Sequence, residues 1–130
     1  VVFRDAAGAA TGYAITYSNG ANVITQFYSL AGVKGSALQL TSNGLNDGDY
    51  ISATAMQDGR VAVVYSEWSP EDNGDIYLRV VSANGTATDK LLLNARSVLD
   101  HTGQQYTPKV TEMADGRLSV TWYDGSLGRG

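Results

Sequence analysis

Carboxylates crowd one short segment of this chain, Glu71-Asp72-Asn73-Gly74-Asp75. Closely spaced carboxylates beside a glycine turn offer the hard oxygen ligands that Ca2+ takes, and Glu71, Asp72 and Asp75 are the candidate ligands. The spacing is not that of an EF-hand, because the Asp-x-Asp-x-Asp-Gly run and the terminal Glu are missing. A polar hairpin turn with Gly at positive φ explains the same residues. Asn46-Asp47-Gly48-Asp49 carries a weaker version of the pattern.

Paired carboxylates also run glycoside hydrolysis, and Glu67, Glu71, Asp72 and Glu112 are available for it. Glu67 is followed by Trp68, a pairing suited to stacking on a sugar, and Trp122-Tyr123 gives a second aromatic pair. Glu67, Trp68, Trp122 and Tyr123 are therefore the candidate ligand-binding residues. Packing between repeated units explains the aromatics better than a binding platform does, since Tyr17, Tyr65 and Trp122 recur at the end of equivalent strands. The only histidine, His101, lies in a polar stretch without the Cys or further His that zinc requires. No Gly-x-Ser-x-Gly elbow occurs. No catalytic residue is assigned, and the expectation is a protein that is not an enzyme.

Composition narrows the class of partner. The chain has 130 residues, 43% of them hydrophobic, which suits one folded domain. Its net charge of −4, with 9 scattered basic residues, speaks against nucleic acid, which demands clustered Lys and Arg. No apolar run is long enough to span a bilayer as a helix. Val1-Val2-Phe3-Arg4-Asp5 does not read as a signal peptide, and the first residue is not Met, so an excised or processed segment is expected. Cysteine is absent, which rules out disulfides and thiolate metal sites. The 15 Gly, 8 Tyr and many Val and Thr read as strands separated by turns.

A repeat organises those strands. Met56-Gln57-Asp58-Gly59-Arg60-Val61-Ala62-Val63-Val64-Tyr65 returns as Met113-Ala114-Asp115-Gly116-Arg117-Leu118-Ser119-Val120-Thr121-Trp122, 57 residues on (113 minus 56). Such a period marks a repeat architecture. Asp-Gly between two apolar runs predicts a hairpin with a type I′ turn. The mostly apolar Arg60 to Tyr65 predicts a strand buried on both faces. With strands at 51–56, 60–67, 75–81 and 88–93, the unit has four antiparallel strands. An earlier copy aligns through Gly12 to Tyr17 and Asn22 to Gly32, and a later copy stops after its second strand. The units run over approximately 1–46, 47–103 and 104–130, the last incomplete, within a single repeat domain. Their length differences fall in turns, where they are tolerated.

The sequence Asp58-Gly59, a Val-rich strand ending in Tyr65, Asp72-Asn73-Gly74-Asp75-Ile76-Tyr77-Leu78-Arg79 and Asn84-Gly85 resembles the roughly fifty-residue repeats of large secreted bacterial proteins of the adhesin and RTX-toxin type. Those repeats are similar to β-propeller blades. The resemblance implies an all-β fold of four-stranded antiparallel blades and an extracellular or cell-surface location. A β-sandwich is the alternative. Segment 69–77 departs from the Asp-box of sialidase-like propellers, since Ser69 and Asp72 stand one residue too far apart and Tyr77 replaces Trp. No catalytic residue carries over from that family.

The leading expectation is a non-catalytic structural or binding module. Its partners would be glycan, protein, the remainder of a larger propeller or its own copies in a homo-oligomer, with no nucleic acid and no membrane span. A polysaccharide-acting glycosidase or lyase propeller is one alternative. A Ca2+-stabilised spacer repeat is another, and Ca2+ is the only cofactor considered.

Overall fold

The computed structural model describes residues 1–41, 50–68, 74–94 and 105–125. Among these residues the chain is all-β: β1 (Val2–Arg4), β2 (Ala10–Ser18), β3 (Val23–Ser29), β4 (Lys34–Gln39), β5 (Ile51–Ala55), β6 (Val61–Glu67), β7 (Asp75–Val81), β8 (Leu91–Leu92), β9 (Gln105–Glu112) and β10 (Leu118–Asp124). They form three antiparallel sheets in the orders β1-β2-β3-β4, β5-β6-β7-β8 and β10-β9. Each strand pairs with its sequence neighbour, so every connection within a sheet is a hairpin. No helix among the described residues is long and apolar enough to cross a membrane.

The hairpins rest on one turn used five times, at Asp5–Ala9, Ser29–Val33, Met56–Arg60, Ser82–Thr86 and Met113–Arg117. In each, the first residue donates its amide to the carbonyl four residues on and accepts from the glycine amide three residues on. Those glycines, Gly8, Gly32, Gly59, Gly85 and Gly116, all have φ between 79° and 86°. The residues before them do not have positive φ, because among the described residues Thr107 is the only non-glycine that does. The expected type I′ turn is therefore corrected: this is a type I turn closed by a left-handed glycine bulge, which adds a third loop residue. In two copies the aspartate braces the turn, Asp58 to Arg60 and Asp115 to Arg117, with Arg Nε to Asp Oδ2 distances of 2.7 and 2.8 Å.

The core lies between the sheets. Every residue of β6 is buried, as an apolar strand facing neighbours on both sides requires. Val61, Val63 and Tyr65 pack against Ala14, Val23, Phe27 and Leu40 of the first sheet. Ala62 and Val64, pointing the other way, pack with Val110 of β9, and Leu118 and Val120 of β10 close over them. Alternation along one strand thus joins all three sheets. Polar ties reinforce both junctions. Ser36 Oγ donates to Ala83 O at 2.6 Å, and Arg79 Nη1 donates to Leu40 O at 3.0 Å. On the other side, Ser52 Oγ accepts from Val110 N at 3.3 Å.

Close backbone approach constrains the first sheet. A Cβ on Gly12 would lie 2.9 Å from the carbonyl oxygen of Tyr28, its neighbour's backbone, so only glycine fits that point of β2.

Candidate functional site

Counting back four residues from the glycine of each unit's first turn (Gly8, Gly59, Gly116) gives Arg4, Ala55 and Glu112. These equivalent positions end the first strand of each unit, and all three line one groove of about 420 Å3. Val2, Asp5, Ala6, Met56 and Gln57 complete its lining. The lining mixes apolar side chains (Val2, Ala6, Ala55, Met56) with charged ones (Arg4, Asp5, Glu112). Glu112 Oε2 accepts the backbone amide of Gln57 at 2.8 Å, tying the third sheet to the turn of the second. Arg4 Nη1 donates to Gly8 O at 2.9 Å. Asp5 Oδ1 accepts from the amides of Ala7 and Ala9, each at 2.9 Å, which holds its carboxylate at the turn. Arg60 has a raised pKa, chiefly from its hydrogen bond to Asp58, with a smaller contribution from Glu112. The groove offers donors from Arg4 and acceptors from Asp5 and Glu112 beside the apolar Val2, Ala6, Ala55 and Met56.

A second cavity of about 260 Å3 opens between the first two sheets, lined by Leu40, Thr41, Glu67, Arg79, Asp89 and Lys90. Glu67 is buried there, and both of its carboxylate oxygens accept from Lys90 Nζ, at 2.8 and 2.9 Å. The ammonium also sits 4.2 Å above the Tyr77 ring. Directly across the β6–β7 ladder from Glu67 stands Asp75, also buried. Asp75 Oδ1 accepts from Asn94 Nδ2 at 2.8 Å, while Asn94 Oδ1 accepts from the Ile76 amide at 2.7 Å. Two carboxylates directly opposed on a ladder disfavour each other, and separate donors, Lys90 for Glu67 and Asn94 for Asp75, hold each one in place.

A third feature is aromatic. Tyr106 and Tyr123 stack with centroids 4.6 Å apart, and Tyr50 lies 5.7 Å from Tyr106. Burial, then the neighbouring Tyr123 phenol, raises the Tyr106 pKa above its ordinary value. Thr107, next along β9, has a φ of 52° and produces the shift of register that brings Tyr106 opposite Tyr123.

No family model, curated protein or solved structure matches the chain. The site therefore stands on its own geometry.

Among the described residues, those singled out from sequence fall at several places in the fold. Trp122 is half-buried on the face of β10 turned to the second sheet, whereas Tyr123 is 52% exposed on the opposite face. Trp68 follows β6 half-buried, and Glu67 is engaged by Lys90. Asp75 lies inside the β7 ladder rather than in a turn. Glu71 and Asp72, the other candidate metal ligands, lie outside the described residues, as do His101 and the 46–49 segment. Among the described residues no cluster of three or more His, Asp or Glu is placed to hold a metal.

Sequence reasoning named Glu112 only as a spare carboxylate and missed Arg4, Gln57, Arg79 and Lys90. The turn glycines carried the signal for the groove, because they set the register that makes positions 4, 55 and 112 equivalent.

Proposed function

We propose that the chain is a non-catalytic structural and binding module of a secreted or surface protein, its units acting as propeller-like blades around the Arg4–Glu112 groove. The observation that carries this reading is the convergence of three equivalent strand ends, one from each unit, on a single groove with charged residues in its lining. In an array of blades the first strands face the axis, and a ligand there meets every unit. The mixed donors and acceptors suit a hydroxyl-rich glycan or a peptide loop. Binding to a glycan array, compared between the wild type and Arg4→Ala and Glu112→Gln, tests it. Wild-type binding lost in both variants is the expected result. Ligands retained undiminished by both variants place recognition elsewhere.

A hydrolase or lyase reading draws on one observation, the opposed carboxylates Glu67 and Asp75. Lys90 and Asn94 hold those groups as structural acceptors in the proposed module. Turnover of polysaccharide that disappears in Glu67→Gln would sink the non-catalytic reading.

A further inference from the structure

The second strand of each unit has a bulky row and a small row. The bulky rows are Tyr13-Ile15-Tyr17, Val61-Val63-Tyr65 and Leu118-Val120-Trp122, and the small rows are Ala14-Thr16, Ala62-Val64 and Ser119-Thr121. At both junctions the bulky row of the later unit meets the small row of the earlier one. Val61, Val63 and Tyr65 pack on the Ala14 face, and Leu118 and Val120 pack on the Ala62–Val64 face.

This rule leaves two complementary faces over. On the first sheet, Val2, Ile15 and Tyr17 are 47%, 47% and 43% exposed. Ile15 and Tyr17 are the counterparts of side chains fully buried in the second sheet, and Val2 is the counterpart of the half-buried Ala53. Ile15 stands where Val63 does, and Tyr17 where Tyr65 does, 48 residues apart (63 minus 15, 65 minus 17). On the third sheet, Thr111, Ser119 and Thr121 are exposed, and Thr111 and Ser119 are directly opposed across the ladder. Their β10 members form a row of small side chains like those that receive a bulky row elsewhere in the chain, bordered by Lys109 opposite Thr121 and by the exposed Tyr123. Thr16 and Thr25, bonded through their hydroxyls at 3.0 Å, show that threonines serve on such a receiving face, with Thr25 fully buried.

The exposed bulky strip belongs to β1 and β2. The open small face belongs to their equivalents, β9 and β10. We infer that the occupant of the first-sheet face is a second copy of this chain, docked head to tail through its β9–β10 face. The junction continues the two already built inside the molecule, and it rests on the blade-stacking reading above. Because the two surfaces differ, the contact is heterologous: each copy offers one bulky and one small face, and copies add in series unless the ring closes.

Sedimentation of the chain and two single-face variants tests this. Ile15→Asp puts a charge in the bulky strip and leaves the small face intact. Thr121→Glu fills the small face and leaves the bulky strip intact. The wild type is expected to grow in mass with concentration. Each variant alone should associate at least about tenfold more weakly, the effect of a central interface contact worth roughly 1.4 kcal/mol. Mixed one to one, the variants should form a dimer, since the mixture contains one unmodified bulky face and one unmodified small face.

A wild type that stays monomeric up to its solubility limit overturns the proposal. So does a Thr121→Glu variant that still self-associates, which means a symmetric contact between bulky faces. Tyr17→Lys serves as a second head-side variant should Ile15→Asp lose its native circular dichroism. Val63→Asp separates the underlying reading. If it melts like the wild type, face-to-face stacking of the units itself is wrong. If it fails to fold while the wild type stays monomeric, only the head-to-tail contact is wrong.

Discussion

β2 and β6 are the same strand in two units. Both lie second in a four-stranded antiparallel sheet, with a hydrogen-bonded neighbour on either side. Both follow a type I turn with a glycine bulge and carry an aromatic six residues into the run from Gly12 or Arg60. Yet Tyr65 is fully buried and Tyr17 is 43% exposed. Pairing with the following strand is matched, seven residue pairs in each ladder, but β1 pairs with β2 at three positions through a register shift whereas β5 pairs with β6 at five, so both the shorter first strand and the uncovered face separate Tyr17 from Tyr65. Burial here is a property of position in the stack, and the strand's own pattern only makes it available.

The largest expected effect comes from placing one charge at equivalent sites. Val63→Asp buries an unpaired carboxylate between two sheets, at a cost on the order of 3–5 kcal/mol, enough to abolish most of a small domain's stability. Ile15→Asp, at the exposed counterpart, should change monomer stability by no more than about 0.5 kcal/mol. Chemical denaturation of the two variants checks the pair. Equal losses would break the comparison.

Removing the ring comes next. Tyr65→Ala should cost about 3–5 kcal/mol through the cavity it leaves, and Tyr17→Ala under about 1 kcal/mol. Unfolding midpoints of the two variants decide it.

The turns should behave oppositely, with no dependence on position in the stack. Gly59 and Gly116 share φ values of 82° and 83°, and nothing lies within 4 Å of a Cβ added to either. Alanine at each meets only the left-handed penalty of about 1–2 kcal/mol. Similar losses in Gly59→Ala and Gly116→Ala, read from denaturation curves, would show that the turns act locally. Strain at Thr107 is local in the same way, since a β-branched residue before proline at a φ of 52° is disfavoured. Thr107→Asn should stabilise the chain by about 0.5–1 kcal/mol in the same assay, because Asn tolerates that conformation.

The smallest effect is a pH dependence. Arg60 hydrogen-bonds the ionised carboxylate of Asp58 and lowers its pKa below 3.8, and Arg117 does the same for Asp115. A pKa lower in the folded state means the pair contributes stability above pH 3.8, a contribution lost as pH falls through the folded value. Acid-unfolding curves of Asp58→Asn should be slightly flatter than those of the wild type below that pH. The pair is exposed and screened, so the change is small.

Much of the fold was legible because the repeat is written in local signals. Asp58-Gly59 and Asp115-Gly116 mark hairpins, and the apolar run through Val64 marks a strand covered on both sides. The turn type was misread because Asp-Gly fits both a two-residue loop and a three-residue loop with a bulge, and only the φ of the preceding residue separates them. Less of the site was legible. Trp122 and Tyr123 are adjacent in sequence, but strand alternation sends them to opposite faces. Glu67 and Asp75 end and begin two predicted strands, and only the β6–β7 register shows that they stand side by side. Lys90, whose ammonium neutralises Glu67, is 23 residues away in sequence, beyond the reach of any local pattern.

The central claim is that stacking on both faces, rather than strand sequence, sets the stability of the middle unit. Native-state hydrogen exchange measures it directly at the amides of β2 and β6 that bond to β3 and β7, since those two ladders match at seven residue pairs each. The β6 amides should exchange only through global unfolding, while β2 amides exchange through smaller openings, faster by about tenfold for each 1.4 kcal/mol of lost cover. Equal protection of the two strands, or faster exchange in β6, would contradict it.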